Sequence, residues 1–399
     1  MLNTRLKTKA YRRGLAAGKA AKPTLKQWME ATEKWARGSY PASVHLNYWD
    51  ECTKLDQQRM QCPPSTSNFP ETKGLPDLLL AERKGFLDGC GGGPRELAFH
   101  YTWSFFCSRG LNTRYIGKGI RANNCSEVYL RDSNEGGPLF GKNLDDIRRP
   151  HLEDFRPPVH GPDGIRRRYF WTDSGAVLCD EEPKEIFPVD VWGIMPRECK
   201  SSRETVRFLQ RYNEFWGPCT CILVDEDKDV VVIEKSNCRM GVRECPDGVA
   251  VITACSYLIP EMKGFRDERH RLSLKLRGWT EDSSDCVYWQ GCDARHRRLW
   301  KLAQEADERG AMLDDIGRIM TDHAVPFPER ICLAGERGHP NDVDANWTLT
   351  SEASVLEGRN RRTLFWRIEG NRPCYENPPF LIPGEGVRVK TEWKKGTRL

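Results

Sequence analysis

Cys125 and Asp145 are the residues of this sequence whose types and placing fit a reaction. Cys125 opens the run Cys125-Ser126-Glu127-Val128-Tyr129-Leu130-Arg131-Asp132, and beyond a glycine turn the chain returns as Gly137-Pro138-Leu139-Phe140-Gly141-Lys142-Asn143-Leu144-Asp145. The apolar positions Val128, Leu130, Leu139 and Phe140 read as a β-hairpin, so a sulfur heads one strand and a carboxylate closes the other. Scission of the Asn124–Cys125 bond would give the cysteine a free α-amino group. Its reference pKa of about 7.7–8.0 lies close to the thiol's, about 8.5. One residue then supplies both the nucleophile and the base that amide hydrolysis needs. An internal cysteine has only an amide nitrogen, which is no base.

Rival chemistries are thinner. Sixteen cysteines without an apolar export leader predict reduced thiols and a cytoplasmic setting. Their spacing predicts no metal: Cys219 and Cys221 form a C-x-C, and no C-x-x-C or H-x-x-x-H occurs. No metal or organic cofactor is expected. His323, at a helix end, and His339 do not call for a Cys–His pair, since an N-terminal nucleophile needs no histidine. The run Gly89-Cys90-Gly91-Gly92-Gly93-Pro94 lacks the lysine and hydroxyl of a phosphate loop.

Composition limits the partners. The 399 residues are 38% hydrophobic and 30% charged, with no apolar run of membrane-spanning length. A formal charge of +5, set against 62 basic and 57 acidic residues, does not call for a nucleic-acid partner. Residues 1–22 differ. Arg5, Lys7, Lys9, Arg12, Arg13, Lys19 and Lys22 meet no acidic residue there, and the segment reads as a solvated, partly disordered leader. A targeting arm or a nucleic-acid contact are the alternatives.

The elements that must position the pair follow from periodicity. Thr24-Leu25-Lys26-Gln27 reads as a capping box that starts a helix ended by Gly38 and Pro41. Helical spacing returns at Leu78 to Phe86 and at Arg95 to Cys107, so the chain before Cys125 reads as mostly helical. After it the period becomes two. Cys219 to Val224 and Val230 to Glu234 form a second hairpin, Val249 to Thr253 a further strand, and Arg362 to Ile368 a late one. Residues 146–190 read as irregular. Helices are expected at about His296 to Arg309 and Met312 to His323.

In this arrangement the chain resembles the penicillin acyltransferase-like peptidase family of N-terminal-nucleophile hydrolases, whose relatives include bile-salt hydrolases. The resemblance is carried by Cys125-Ser126 and Gly141-Lys142-Asn143-Leu144-Asp145, then by the 219–234 hairpin and Asp247-Gly248-Val249-Ala250-Val251-Ile252-Thr253. Ile331-Cys332, Thr348-x-x-Ser351 and Glu369-Gly370-Asn371-Arg372-Pro373-Cys374 follow in the family's order, and Ala81 to Gly89 is similar to its propeptide helix.

The resemblance implies an α+β fold, the four-layer αββα sandwich of N-terminal-nucleophile hydrolases. It also implies a precursor organised as a basic leader 1–22, a mostly helical propeptide 23–124 and a catalytic part 125–399. Cys125 would be the nucleophile, Asp145 the holder of its amine, and Asn143 a donor to substrate or oxyanion. Lys142, where relatives have arginine, would contact substrate together with Ser256 and Tyr257. The reaction implied is cleavage or formation of an N-acyl amide through a thioester on Cys125. The partners are then a small acyl substrate and the chain's own cleaved fragment, with no membrane. One departure counts against activity. The family's Thr-Asn-His-aromatic run is here Thr253-Ala254-Cys255-Ser256-Tyr257, which removes an asparagine donor. A non-catalytic relative that keeps the fold for binding is the competing expectation.

Overall fold

The computed structural model describes residues 4–39, 50, 53–54, 56–57, 75–106, 125–147, 169–175, 199, 201–211, 219–225, 227–236, 239–254, 256–276, 288–336, 345–357, 361–369, 371–383 and 397–398. Asn124, Cys255 and His339 lie outside these residues.

The alternation after Cys125 yields the hairpin it predicts. Strand β1 (Ser126–Leu130) pairs antiparallel with β2 (Leu139–Ile147), Val128 facing Gly141 in the register. Gly136 supplies the φ of +80° in the turn, a conformation that would strain a side-chain-bearing residue. The 219–234 hairpin also forms, as β4 (Cys219–Asp225) and β5 (Val230–Lys235). The segment expected to be irregular contains β3 (Tyr169–Gly175), which pairs with β4. Further strands are β6 (Met240–Glu244), β7 (Val249–Thr253), β8 (Ala334–Glu336), β9 (Asn346–Val355), β10 (Arg362–Arg367), β11 (Phe380–Pro383) and β12 (Thr397–Arg398).

These strands make two antiparallel sheets. One runs β12-β11-β10-β9-β2-β1-β7, with β8 beside β9, and the other runs β3-β4-β5-β6. Period-two alternation sends Tyr129, Phe140, Ala250 and Ile252 from the first sheet against Ile222, Val224, Val230 and Val232 of the second. The residues between them, Val128, Leu130, Leu139 and Val251, face a helical layer instead.

That layer consists of α6 (Tyr288–Glu308) and α7 (Leu313–Met320), preceded in the chain by α4 (Ser202–Arg211) and α5 (Pro260–Leu276). Leu299, Ala303 and Ala306 of α6, with Ile316, Ile319 and Met320 of α7, close the core on the sheet. Each fully buried Leu, Ile or Val there stabilises the fold by about 1.5–3 kcal/mol. Gly141 lets α7 approach closely, because a Cβ at that position would sit 2.6 Å from Met320 Cγ. The result is a mixed α+β fold in which helices, sheet and sheet are stacked in that order.

The N-terminal part departs from expectation. Residues 4–22 are not a separate leader. They belong to α1 (Thr4–Ser39), which runs through Pro23 and past the expected start at Thr24. A proline inside a helix costs about 3 kcal/mol, so tertiary contact must offset it. That contact is with α2 (Leu75–Cys90), which is followed by α3 (Pro94–Phe106). A Cβ on Gly14 would fall on the Glu82 carbonyl, one on Gly18 on the Phe86 carbonyl, one on Gly85 on the Tyr11 carbonyl, and one on Gly89 on the Leu15 carbonyl. Gly14 meets Glu82–Phe86 and Gly18 meets Phe86–Cys90, so the two helices run in the same direction. Their seam is backbone on backbone, flanked by Tyr11 Oη donating to Asp88 Oδ2 (2.8 Å) and by Arg13 donating to Glu82 Oε2 (3.0 Å).

Candidate active site

Cys125 precedes β1, and its carbonyl oxygen accepts from the Ala254 N–H at 2.9 Å, which ties it to the end of β7. Alternation places its side chain on the intersheet side with Glu127 and Tyr129. The residue is 3% exposed. Burial pushes the thiol up to about 12; the Lys142 ammonium pulls it down, the Asp145 and Glu127 carboxylates push it up, and a hydrogen bond from the Asp145 backbone N–H pulls it down. The buried sulfur is therefore a protonated thiol.

Asp145 reaches this position through a β-bulge. Leu144 pairs with Thr350 but Asp145 pairs with Thr348, so the register slips between them and Leu349 is the extra residue. The carboxylate is fully buried and held on both oxygens. Thr348 Oγ1 donates to Oδ1 at 2.6 Å, and Arg295 Nη1 donates to Oδ2 at 3.0 Å. Burial pushes Asp145 up to about 7, outweighing Arg295 and Thr348, which both pull it down. Thr348 is itself fixed, since its hydroxyl accepts from the Leu333 N–H at 2.7 Å and its carbonyl accepts from Cys374 Sγ at 3.0 Å.

Arg295 was not among the expected site residues. It lies on α6, only 2% exposed, at a position of the stripe Cys292–Leu299–Ala303–Ala306 that faces the sheet. The helix was expected to begin at His296, which leaves Arg295 in a loop; it begins at Tyr288. A guanidinium at a core position of a helix is the signal that would have found it.

The remaining expected residues separate. Lys142 stays beside Cys125, with its Nζ 2.7 Å from the Glu127 carboxylate in the cross-strand pair Glu127↔Lys142. Asn143 points the other way, into the helical layer, where Nδ2 donates to the carbonyls of Met320 (2.8 Å) and Ile331 (3.2 Å). Both of its N–H donors are thereby used on the fold. Tyr257 is wholly buried and its hydroxyl donates to the Lys235 carbonyl. Ser256 Oγ donates to Asp293 Oδ1 at 3.1 Å, and Asp293 is held by Arg266. Ala254, buried at the end of β7, brings no side-chain donor. Among the described residues no group of three His, Cys, Asp or Glu side chains could hold a metal ion. No helix among them is long and apolar enough to cross a membrane.

No protein-family model matches the sequence, and no curated protein matches it. Solved structures do align with the chain. A cysteine-to-alanine mutant of the conjugated bile acid hydrolase from Clostridium perfringens aligns over 65% of this chain and 92% of its own, at 10% identity and TM-score 0.38. An arginine-to-leucine variant of that hydrolase aligns over 66% and 85%, at 10% identity and TM-score 0.32. Penicillin V acylase from Agrobacterium tumefaciens aligns over 69% and 83%, at 11% identity and TM-score 0.34. The likeness is distant. At these scores it carries no argument about chemistry, which rests on the residues described above.

Proposed function

We propose that this chain is an N-terminal-cysteine amidohydrolase or acyltransferase of the αββα type, activated by scission between Asn124 and Cys125. The observation that carries the reading is the meeting of Cys125 with Asp145. The sulfur at the head of β1 accepts from the backbone N–H of an aspartate whose carboxylate is clamped by Arg295 and Thr348.

Scission would convert the Cys125 amide nitrogen into an amine. That amine takes the thiol proton as sulfur attacks the carbonyl of a small N-acyl amide, and returns it to the departing amine. The acyl group is left on sulfur as a thioester, which water or a second amine then cleaves. The Asp145 carboxylate would accept from the Cys125 ammonium, and the Lys142 ammonium would favour the thiolate. Without a side-chain donor at Ala254, oxyanion stabilisation falls to backbone amides; one lost donor costs about 2.7–4 kcal/mol. The piece comprising residues 1–124 is proposed to stay with the remainder.

Intact-mass measurement and terminal sequencing test this reading. The wild type should appear as two pieces, 1–124 and 125–399, the Cys125→Ala variant as one, and only the cut protein should release amine from a panel of N-acyl amines and N-acyl amino acids. A wild-type chain that stays whole, with no thiol-dependent labelling at Cys125, overturns it. That result would favour a second reading, a binding or scaffolding protein on the same fold. Two observations favour this alternative: the thiol is sealed and held up to about 12, and Ala254 offers no donor.

A further inference from the structure

The positive charge of this chain is gathered on one helix. Between Thr4 and Ser39 there are ten Lys and Arg against two Glu, whereas outside that span 55 acidic residues outnumber 52 basic ones. At 3.6 residues per turn, Arg5, Lys9, Arg12 and Lys19 fall on one line of α1. Ala10, Gly14, Gly18 and Leu25 fall on the opposite side, where all four are buried and the two glycines abut α2. The seam therefore fixes which face looks outward, and Arg5, Lys9, Arg12 and Lys19 are all exposed. The first turn of α1 contains no acidic residue, so the positive end of the helix dipole adds to the basic end of the stripe.

We propose that this face of α1 docks on the phosphate backbone of a nucleic-acid duplex. Along α1, a rod of about 54 Å, these four charges cover the stretch from Arg5 to Lys19, about 21 Å or roughly six base-pair steps at about 3.4 Å each. Phosphates are the polyanion that repeats over such a distance. A lipid surface fits less well, because the outward line between the basic residues holds Thr8, Ala16 and Ala20 and no bulky apolar side chain to enter the acyl region. A single strand fits less well too, because no aromatic ring stands on that line to stack on bases. Contacts of this kind read no sequence, so binding should be salt-sensitive and indifferent to base order.

Fluorescence anisotropy with the full chain tests the proposal, using labelled DNA and RNA duplexes of about 20 base pairs, longer than the rod. Wild type should bind at least one duplex, with affinity falling steeply as salt rises. The triple variant Lys9→Gln, Arg12→Gln, Lys19→Gln should flatten the log–log salt slope by about 0.9 per lost contact, about 2.7 in all. Lys9→Arg with Lys19→Arg should retain binding, and Lys263→Gln, on another surface, should change nothing. Circular dichroism of the triple variant should match wild type, since the altered side chains lie away from the seam. No binding by wild type, an unchanged slope in the triple variant, or capture by phosphatidylserine vesicles in place of the duplexes overturns the proposal.

Discussion

The Thr348 hydroxyl is shared between two partners, donating to Asp145 Oδ1 at 2.6 Å and accepting from the Leu333 N–H at 2.7 Å. It stands opposite Asp145 only because β9 carries one extra residue at the bulge. Thr348→Val keeps the shape and removes both bonds. It should cost about 1–3 kcal/mol for the buried groups left unsatisfied, measured as a lower denaturation midpoint at unchanged slope. An unchanged midpoint would mean that the bulge, not the hydroxyl, fixes the carboxylate.

Arg295 and Asp145 form a buried ion pair within the core between α6 and the sheet. Arg295→Ala leaves the carboxylate alone and should cost about 3–5 kcal/mol, with Asp145 titrating above its present value near 7. Arg295→Lys should recover part of that loss. Chemical denaturation at pH 7 compares the three proteins.

The pH dependence of stability has a definite sign. Asp145 is pushed up to about 7 in the fold, against about 3.9 in an unfolded chain. The folded state thus holds the proton more tightly. Its contribution is fully present below about pH 4 and is lost as pH rises through about 7, on the order of 4 kcal/mol in all. Asp145→Asn should erase this dependence, which a denaturation series from pH 4 to 8 reads directly. If the cut protein is active, its rate should fall on the acid side as the same carboxylate is protonated.

The α1–α2 seam should tolerate no Cβ at its centre. Gly85→Val sets a branched side chain against the Tyr11 carbonyl, and Gly14→Val does the same at the Glu82 carbonyl. Each should cost at least about 1–3 kcal/mol and expose α1 to limited proteolysis. The strand body should retain its own unfolding transition, and a global loss of structure would refute that independence.

Tyr257→Phe separates packing from binding. The hydroxyl meets the Lys235 carbonyl inside the fold, so its removal should lower stability by about 1 kcal/mol. KM for any substrate found should not move. A change in KM without a change in stability would return Tyr257 to the substrate.

Both hairpins, β7 and β10 were legible because short apolar stretches, continuous in β5 and β7, lie between bounding turns. Strand β9 was not, because Thr348, Ser351, Glu352 and Ser354 are buried polar residues that break the pattern. Strand β6 is half-exposed and shows no apolar rhythm. The part of helix α1 before Pro23 and Thr24 is not legible, since a seam of glycines has no hydrophobic period to detect. At the candidate site, Cys125 and Asp145 could be picked out by residue type and spacing. Arg295 and Thr348 could not, since one sits in a basic run and the other acquires its place through a bulge. Asn143 shows the converse, a polar residue with a motif-like address whose hydrogen bonds are spent on holding α7 and the following loop to the sheet.

The joint between α1 and α2 is built from peptide groups, which every sequence has in common. Tyr11 and Arg13 flank it, whereas Lys9, Arg12 and Lys19 face away, so the outward lettering at those three positions can be rewritten, basic to neutral or acidic, without loosening the joint. Whatever the helix meets can therefore be retuned separately from the way it is held.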